Sequence, residues 1–461
     1  MSGGIDLTGS HIGGQLNLTG GKFRHVGFTA VDLARASLSQ NMRCQSGFEI
    51  KGKMLLTGAT ITGSLWCDGG KFRNPNGTAI DATGLTVGRD VKFSRNDNGK
   101  GFVANGDIVL SDASIGGSLN CTGGRFNNPH ACALSAKGLN VTRDVLFSLG
   151  FTTDGGIDLS DVTIGGCLNC EGGKFGGADT ALRCDRTQIK QSAKLTGGFH
   201  AQGEVSLRNA QITANLDVTD AKLAGGNAAA TILTLNGATV GGTLTMRFDP
   251  PLVGTIDLAR AKVGQLDDQK TTWPETVCLD GFVYGALPTE GPDVVARLAW
   301  LAPSPRYVPQ LYLQLASVYL AAGATKESTA VSIAGEDRRL ASMTDRFSWF
   351  RRRLARLLKI TVQYGYRPLR ILLWLFLLEA ISSLVFWWLH EIGALAPANS
   401  SAPAFNTVLY SLDLLVPVFS LGQRAFWIPD PGAVWVTSGF TIVGWILAAC
   451  LVVGVGKIFK N

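Results

Sequence analysis

Charge and histidine are both scarce in this sequence. Charged residues make up 17% of the 461 residues while glycine alone contributes 57, a balance unlike that of an ordinary cytosolic enzyme. The five histidines form no cluster with metal-ligand spacing, and no Gly-Gly pair is followed by the helix that a dinucleotide-binding fingerprint needs. We therefore expect no metal, no cofactor and no catalytic residue.

A repeat of 23 to 28 residues occupies the first half of the chain. IGGSLNCTGGRF at Ile115 recurs as IGGCLNCEGGKF at Ile164, ITGSLWCDGGKF at Ile61 and IGGQLNLTGGKF at Ile12. With shorter versions between them, the repeats start at residues 12, 38, 61, 87, 115, 141, 164, 189, 212 and 240. Short alternating apolar positions separated by Gly, Asn, Asp and Thr are typical of a parallel β-solenoid with one coil per repeat. The sequence predicts an all-β solenoid of about ten coils over residues 1–270.

Equivalent positions in successive coils predict ladders of inward side chains. One ladder comprises Leu16, Leu65, Leu119, Leu168 and Leu216, and another comprises Phe23, Phe72, Phe126 and Phe175. The motif CLNC, from Cys167 to Cys170, has the spacing of half a zinc site. However, Cys170 has the same offset as Cys121 and Cys67 in other coils, which predicts a core position. The opening residues lack a secretory signal, so we expect these thiols to be free in the cytosol.

Solenoids can also carry enzymatic sites, and one pair of motifs is a candidate. Arg89 with Asp90 and Arg143 with Asp144 occupy the same offset two coils apart. A glycosidase needs a carboxylate pair at a defined separation in a groove, which spacing alone does not supply. We favour turns with exposed ion pairs here, and a solenoid enzyme stays an alternative.

Helical sequence follows the solenoid. WPETVCLDGFVYGAL lies within residues 271–291, which we predict to be the solenoid cap, and residues 292–366 are predicted to form a helical collar. Pro292 and Pro309 suit first helical turns and Gly323 suits a helix end. The segment from Pro292 to about Gly335 resembles a tetratricopeptide-like helical hairpin. That resemblance leaves open a joining collar or a protein-docking groove.

A strongly basic segment ends the collar. Residues 338–370 contain ten Lys or Arg and one acidic residue, for +9, whereas the whole chain carries +7, so the remainder sums to −2. Aromatic and leucine residues interleave the arginines, a pattern typical of a helix on anionic lipid head groups. Nucleic-acid binding is the less favoured interpretation. The predicted membrane-surface residues are Arg351, Arg352, Arg353, Arg356 and Lys359.

The last part of the chain, residues 367–461, is predicted to be a transmembrane module. Residues 371–389 and 433–455 are both apolar and long enough to cross about 30 Å of hydrocarbon. Basic residues precede the first span, and Lys457 and Lys460 follow the second. By the positive-inside rule, we expect a multi-pass protein of the inner membrane with both termini in the cytoplasm.

The segment 405–426 between these spans, FNTVLYSLDLLVPVFSLGQRAF, is too polar at Asp413 and too interrupted at Pro417 for an ordinary span. With both termini on one side, a third crossing is excluded, which leaves a surface segment or a re-entrant one. Non-helical backbone at membrane depth survives only when protein or water covers it, which predicts a homo-oligomer. The candidate intramembrane polar residues are Glu379, Asp413, Ser420 and Gln423.

Two resemblances accompany these patterns. The order span, re-entrant segment, span is similar to the pore module of two-span cation channels, with FSLGQ where the potassium filter T-V-G-Y-G would stand. The whole chain, through LYLQLASVYLAAG and YGYRPLR, resembles bacterial β-solenoid membrane proteins with pentapeptide-like repeats, often labelled membrane-associated oxidoreductases. The sequence has no flavin, nicotinamide or haem motif to receive that label.

These observations favour an oligomeric membrane channel or pore gated by a cytoplasmic solenoid that senses a protein or small-molecule trigger. The alternative is a non-conducting, membrane-anchored solenoid scaffold that binds a cytosolic partner.

Overall fold

The chain divides into two compact units, residues 1–323 and 324–461. The structure, a computed structural model, describes residues 4–129, 131–225, 230–248, 252–269, 274, 276–288, 293–301, 307–342, 353, 359, 370–400, 402–416 and 420–458. The boundary at Gly323 falls within the predicted helical collar.

The first unit is a parallel β-solenoid with two faces. Among the described residues, one face is a 15-stranded sheet in which every neighbour is parallel. Its strands are β1 Ile5–Asp6, β4 Lys22–Asp32, β7 Glu49–Leu55, β10 Lys71–Asp81, β13 Val103–Val109, β16 Arg125–Asn127, β17 Cys132–Ser135, β20 Thr152–Thr153, β21 Gly156–Asp158, β24 Lys174–Arg183, β27 His200–Ser206, β30 Lys222–Ala224, β31 Thr231–Thr234, β33 Thr255–Asp257 and β35 Thr276–Cys278.

The other face is a 21-stranded parallel sheet within the same described part of the chain. Most of its strands are only two residues long, because each coil turns a corner between them. They are β2 His11–Ile12, β3 Leu16–Asn17, β5 Ser37–Leu38, β6 Met42–Arg43, β8 Thr60–Ile61, β9 Leu65–Trp66, β11 Thr86–Val87, β12 Val91–Lys92, β14 Ser114–Ile115, β15 Leu119–Asn120, β18 Asn140–Val141, β19 Val145–Leu146, β22 Thr163–Ile164, β23 Leu168–Asn169, β25 Gln188–Ile189, β26 Ala193–Lys194, β28 Gln211–Ile212, β29 Leu216–Asp217, β32 Thr239–Met246, β34 Lys262–Asp268 and β36 Val283–Ala286.

The solenoid has about eleven coils rather than ten. Beyond the tenth predicted start, Val263 pairs with Val240 and then with Tyr284 in the same ladder. On the other face, β35 continues the sheet by pairing with β33. Part of the segment predicted as a cap is therefore solenoid strand.

The predicted ladders are confirmed. Leu16, Leu65 and Leu119 share one ladder, with Met42 and Val91 from the intervening coils between them. Such apolar interior side chains supply the main stabilising free energy of the fold.

A second set of phenylalanines completes an aromatic stack that the repeat alone did not reveal. Phe48, Phe102, Phe151 and Phe199 come from the turns of alternate coils and lie between the predicted ladder members. Consecutive ring centroids along this stack are 5.0 to 5.7 Å apart, in the order Phe23, Phe48, Phe72, Phe102, Phe126, Phe151, Phe175, Phe199. The signal in the sequence is the dipeptide Gly-Phe, which recurs in every second coil just before a strand of the 15-stranded sheet.

Helices close the last described coil of the solenoid. Helix α1 spans Val294–Leu301 and helix α2 spans Pro309–Ala321. On α2, Gln310 and Gln314 donate from Nε2 to the carbonyl oxygens of Phe282 and Tyr284, at 2.9 and 2.6 Å. These bonds satisfy two backbone carbonyls of the last described coil, where no further coil follows to pair with them.

A buried ion pair attaches α1 to the same end of the solenoid. Arg297 on α1 donates to both carboxylate oxygens of Asp268, with Nη1 2.6 Å from Oδ2, and the two side chains are 2% and 0% exposed. The guanidinium also lies over the ring of Trp300, 5.6 Å from its centroid. A buried pair with this bidentate geometry fixes the position of the helix.

The second unit is helical. It contains α3 Thr325–Ser342, α4 Arg370–Glu391, α5 Thr407–Leu415, α6 Gln423–Phe426 and α7 Ala433–Ile458. Two short strands, β37 Leu395–Pro397 and β38 Trp427–Pro429, pair antiparallel. Asn406 caps α5, its side chain accepting from the Leu409 amide.

Candidate functional site

Helices α4 and α7 expose large apolar side chains. Phe376 on α4 is 77% exposed and Trp435 on α7 is 81% exposed. Helix α4 is long and apolar enough to cross a membrane over Leu373–Glu391, and the described side chains of α7 give a shorter apolar stretch, Ala433–Ala449. An apolar surface of this extent marks an interaction with lipid or protein rather than with water.

Helix α5 lies between these two helices and starts at their outer end, which is the end formed by the C-terminus of α4 and the N-terminus of α7. Phe405, just before α5, stacks on His390 of α4 with ring centroids 4.4 Å apart. One turn further, Tyr410 packs against Phe386 at 5.0 Å. Tyr410 and Phe386 are both buried, so the first half of α5 packs in an aromatic cluster.

The inner end of α5 reaches about half the length of α4 and α7. Ser411 contacts Glu379, eleven residues before His390, and Leu415 packs on Gly444, eleven residues after the start of α7. At 1.5 Å per residue, both intervals correspond to a depth of about 16 Å. A methyl group at Gly444 would lie 2.4 Å from the Leu415 carbonyl oxygen, so glycine permits this close approach.

The chain then returns to the end from which it came. Asp413, buried on α5, accepts from the backbone amides of Leu421 and Arg424, at 2.9 and 3.0 Å. Gln423, also buried, accepts from the amide of Asn406 at 3.4 Å. We call residues 402–416 and 420–429 the hairpin. Residues 417–419, including the predicted break at Pro417, lie outside the described residues.

The two ends of the hairpin meet at its entrance. There β38 pairs with β37, and the Trp427 indole donates to the Pro403 carbonyl at 3.2 Å. His390 lies between Phe405 and Trp427, with 5.2 Å between the centroids of His390 and Trp427. Sequence reasoning did not single out His390 or Trp427 as site residues. Their aromatic character was the available signal.

A polar cluster joins α4 to α5 at the inner end. Glu379 Oε1 accepts from Ser383 Oγ at 3.0 Å and from Ser411 Oγ at 2.5 Å, and the two hydroxyl oxygens are 2.9 Å apart. The other carboxyl oxygen, Oε2, is buried and has no hydrogen-bond partner within the described part of the chain. We call Glu379, Ser383 and Ser411 the carboxyl cluster.

The predicted intramembrane residues therefore occupy different places. Glu379 is in the carboxyl cluster, Asp413 and Gln423 hold the return of the hairpin, and Ser420 is exposed on it. Asp413 is buried and is therefore not an exposed cap, and its carboxylate oxygens accept two backbone amides of the same chain.

The basic residues before the first predicted span are described only in part. Arg353 and Lys359 are exposed, and Lys359 Nζ lies 2.7 Å from Asp337 Oδ2. Arg351, Arg352 and Arg356 lie outside the described residues.

The candidate residues of the solenoid serve its corners and core. Asp90 Oδ1 accepts from the Ser118 amide and Asp144 Oδ1 from the Cys167 amide, at 2.9 and 2.8 Å, each in the next coil. Cys170 is buried, as its ladder position predicts, and burial raises the pKa of its thiol. Cys167 instead lies on the outside with Sγ 3.3 Å from Gln191 Oε1. The two thiols thus face opposite sides of the wall.

No family model, curated protein or solved structure matches this chain. Its class is therefore defined by the geometry itself: a parallel β-solenoid protein with a helical unit in which a hairpin with buried polar residues packs against two exposed apolar helices.

Proposed function

We propose that the protein is an oligomeric channel or pore of the inner membrane, gated by its cytoplasmic solenoid. The hairpin is the main support for this proposal, because its two described arms begin and end at one end of two long apolar helices and α5 reaches about halfway along them. A depth of about 16 Å is half of a hydrocarbon layer of about 30 Å. Return backbone at that depth needs cover from protein or water, which neighbouring copies around an axis would supply.

The polarity of the hairpin favours cations as the permeating ions. The C-terminal end of a helix carries partial negative charge, and the C-terminal end of α5 is its inner end. Glu379 and Asp413 add two carboxyl groups near the same level. In this topology α4 and α7 are the two spans, both termini are cytoplasmic, and basic residues such as Arg353 and Lys359 face anionic head groups.

Potassium flux from liposomes tests the proposal. The purified full-length chain is reconstituted in phosphatidylethanolamine and phosphatidylglycerol vesicles, and its mass in detergent is measured by light scattering. We expect an oligomer that releases potassium. Asp413→Ala removes the acceptor of two backbone amides and should abolish flux, whereas Asp430→Ala, an exposed carboxylate after β38, should preserve it. A monomer, or an oligomer that passes no ion at any pH or with any cytosolic extract added, contradicts the proposal.

A membrane-anchored scaffold is the second candidate. It is favoured by one observation: both carboxyl groups of the hairpin region are hydrogen-bonded within a single chain. On this hypothesis the carboxyls stabilise an anchor, and the solenoid binds its cytosolic partner without ion flow. Glu379→Ala and Asp413→Ala would then weaken folding of the anchor but change no conductance, because none exists.

A further inference from the structure

The carboxyl cluster places an ionisable group in an apolar helix with only one of its oxygens satisfied. Oε1 of Glu379 accepts from two serine hydroxyls, whereas Oε2 is buried without a partner within the described residues. An ionised carboxylate shares its charge between both oxygens, so a bare, buried Oε2 would carry a large desolvation penalty. A protonated carboxyl avoids most of this penalty. The packing described here therefore suits the neutral acid.

The serines connect this charge state to the hairpin. Ser383 belongs to α4, as Glu379 does, but Ser411 belongs to α5 and is fully buried. The hydrogen bond from Ser411 to Glu379 is thus a direct polar link between α4 and the hairpin. Ionisation would require water or a cation to reach Oε2, which is buried in the closed packing.

The other charged groups near this contact are few. Asp413 on α5 is already bonded to two backbone amides, and Arg424 is an exposed residue of α6. His390 and Glu391 lie at the far end of α4. Helix α7 has no ionisable side chain over residues 433–449. Glu379 is therefore the titratable group in the described contact between α4 and the inner end of α5.

We propose that the carboxyl cluster is a proton-binding site that gates the hairpin. With its proton bound, Glu379 holds Ser411 and keeps α5 packed on α4. When the proton leaves for an entering water molecule, the carboxylate draws solvent into the contact and the hairpin separates from α4, which opens the ion path. This inference rests on the proposed channel function for its gating step, but the proton site itself does not.

Infrared spectroscopy tests the proton site without any need for conduction. In lipid films of the full-length chain, we expect a carbonyl band of a protonated carboxylic acid at low pH that disappears as pH rises. Glu379→Gln should remove this titrating band. Glu391→Gln, at the exposed end of the same helix, should leave it in place. If no acid band is lost in Glu379→Gln, or if the band does not titrate, the proton site is refuted.

Potassium flux then tests gating. Wild-type flux should rise with pH, by up to about tenfold per unit while the ionised fraction is small. Glu379→Gln should remove this dependence and keep the hairpin closed. Ser411→Ala, which deletes the link from α5, should raise flux at acid pH, and Ser438→Ala on the exposed face of α7 should not.

The outcomes separate the two proposals. Flux that is equal in wild type and Glu379→Gln at every pH overturns gating and leaves the channel standing. Absence of flux from every variant overturns the channel and with it gating, while the infrared band still decides the proton site. If Glu379→Gln does not fold, Ser411→Ala decides gating, because flux that keeps the wild-type pH profile refutes it.

Discussion

In the solenoid, phenylalanine, leucine and valine fill the interior and most charged side chains lie outside, whereas the helical unit exposes large apolar side chains on α4 and α7 and buries several polar ones. Phe102 is 0% exposed in the first unit, and Phe376 is 77% exposed in the second. Conversely, Ser411 and Asp413 are buried in the second unit. Water favours the first arrangement, and on the proposed function a lipid environment favours the second.

The comparison extends to how each unit uses its buried polar groups. In the solenoid they join adjacent coils, as Asp90 does through the Ser118 amide. In the helical unit they join one helix to a hairpin that no repeat supports. A solenoid that loses one such contact between coils keeps equivalent contacts at other corners. The described part of the helical unit has no second contact equivalent to that of Asp413 or of Glu379.

We expect the largest effect on stability from the ion pair between Arg297 and Asp268, which is buried although most charged side chains of the solenoid unit are exposed. Arg297→Ala leaves the Asp268 carboxylate buried and should lower the free energy of unfolding by about 3–5 kcal/mol. Arg186→Ala removes an exposed partner of Asp161 and should have little effect. Urea denaturation of the full-length chain in detergent, followed by circular dichroism, measures both. Equal effects would mean that the pair at α1 is not desolvated.

The second-largest difference between the two units is expected when lysine replaces an exposed apolar residue. Phe376→Lys, on α4, should oppose membrane insertion by about 2.5–3.5 kcal/mol. Val26→Lys, at a 63% exposed position of the solenoid, should change stability by less than about 0.5 kcal/mol. Alkaline extraction of membranes measures retention of each variant. Full retention of Phe376→Lys would show that this face of α4 does not meet lipid.

A smaller effect is expected at a solenoid corner. A methyl group at Gly117 would lie 2.2 Å from Asp90 Oδ1, so Gly117→Ala should cost about 1–3 kcal/mol. Gly14 occupies the same place in the motif of the first coil but has no atom within 4 Å of an added methyl group. Gly14→Ala is therefore the matched control and should be nearly neutral. Thermal unfolding of the two variants gives the comparison.

The reactivity of the cysteines distinguishes interior from outer positions of the solenoid in the native chain, without any substitution. Maleimide should label Cys278 and Cys167 in the native chain, but not Cys121 or Cys170, whose thiols have raised pKa values because they are buried. As pH rises past the ordinary thiol pKa of 9.0, the unfolded chain loses these protons first, so this contribution to stability is constant below pH 9.0 and declines above it. Rapid native labelling of Cys170 would place it outside the core.

Much of the solenoid could be predicted because each coil repeats the same inward positions. The ladder through Leu16 and Leu65 and the burial of Cys170 follow from equal offsets. The last coil was missed because its sequence changes composition at Thr276–Cys278. Its turn still carries a signal, since Gly281 has φ +73° at the place where Gly237 has φ +70°.

The site could be predicted only in outline. The polarity of segment 405–426 and the apolar runs beside it are visible in the sequence. The contact between Ser411 and Glu379 is not visible, because it depends on the position of α5 along the length of α4. The two residues are 32 apart in sequence, and no local sequence pattern determines that position. The return contacts of Asp413 depend on the same tertiary arrangement.

The corner contacts also limit how the number of solenoid coils could change during evolution. Asn41, Asp90, Asp144 and Asn215 each accept from the following coil, where the facing residue is Gly63, Gly117, Gly166 or Gly242. Through the first seven coils the acceptor and the glycine alternate. Deleting one of these coils would set two glycines or two acceptors against each other, whereas deleting or duplicating two would restore every corner. In this stretch, inheritance should add or remove coils in pairs.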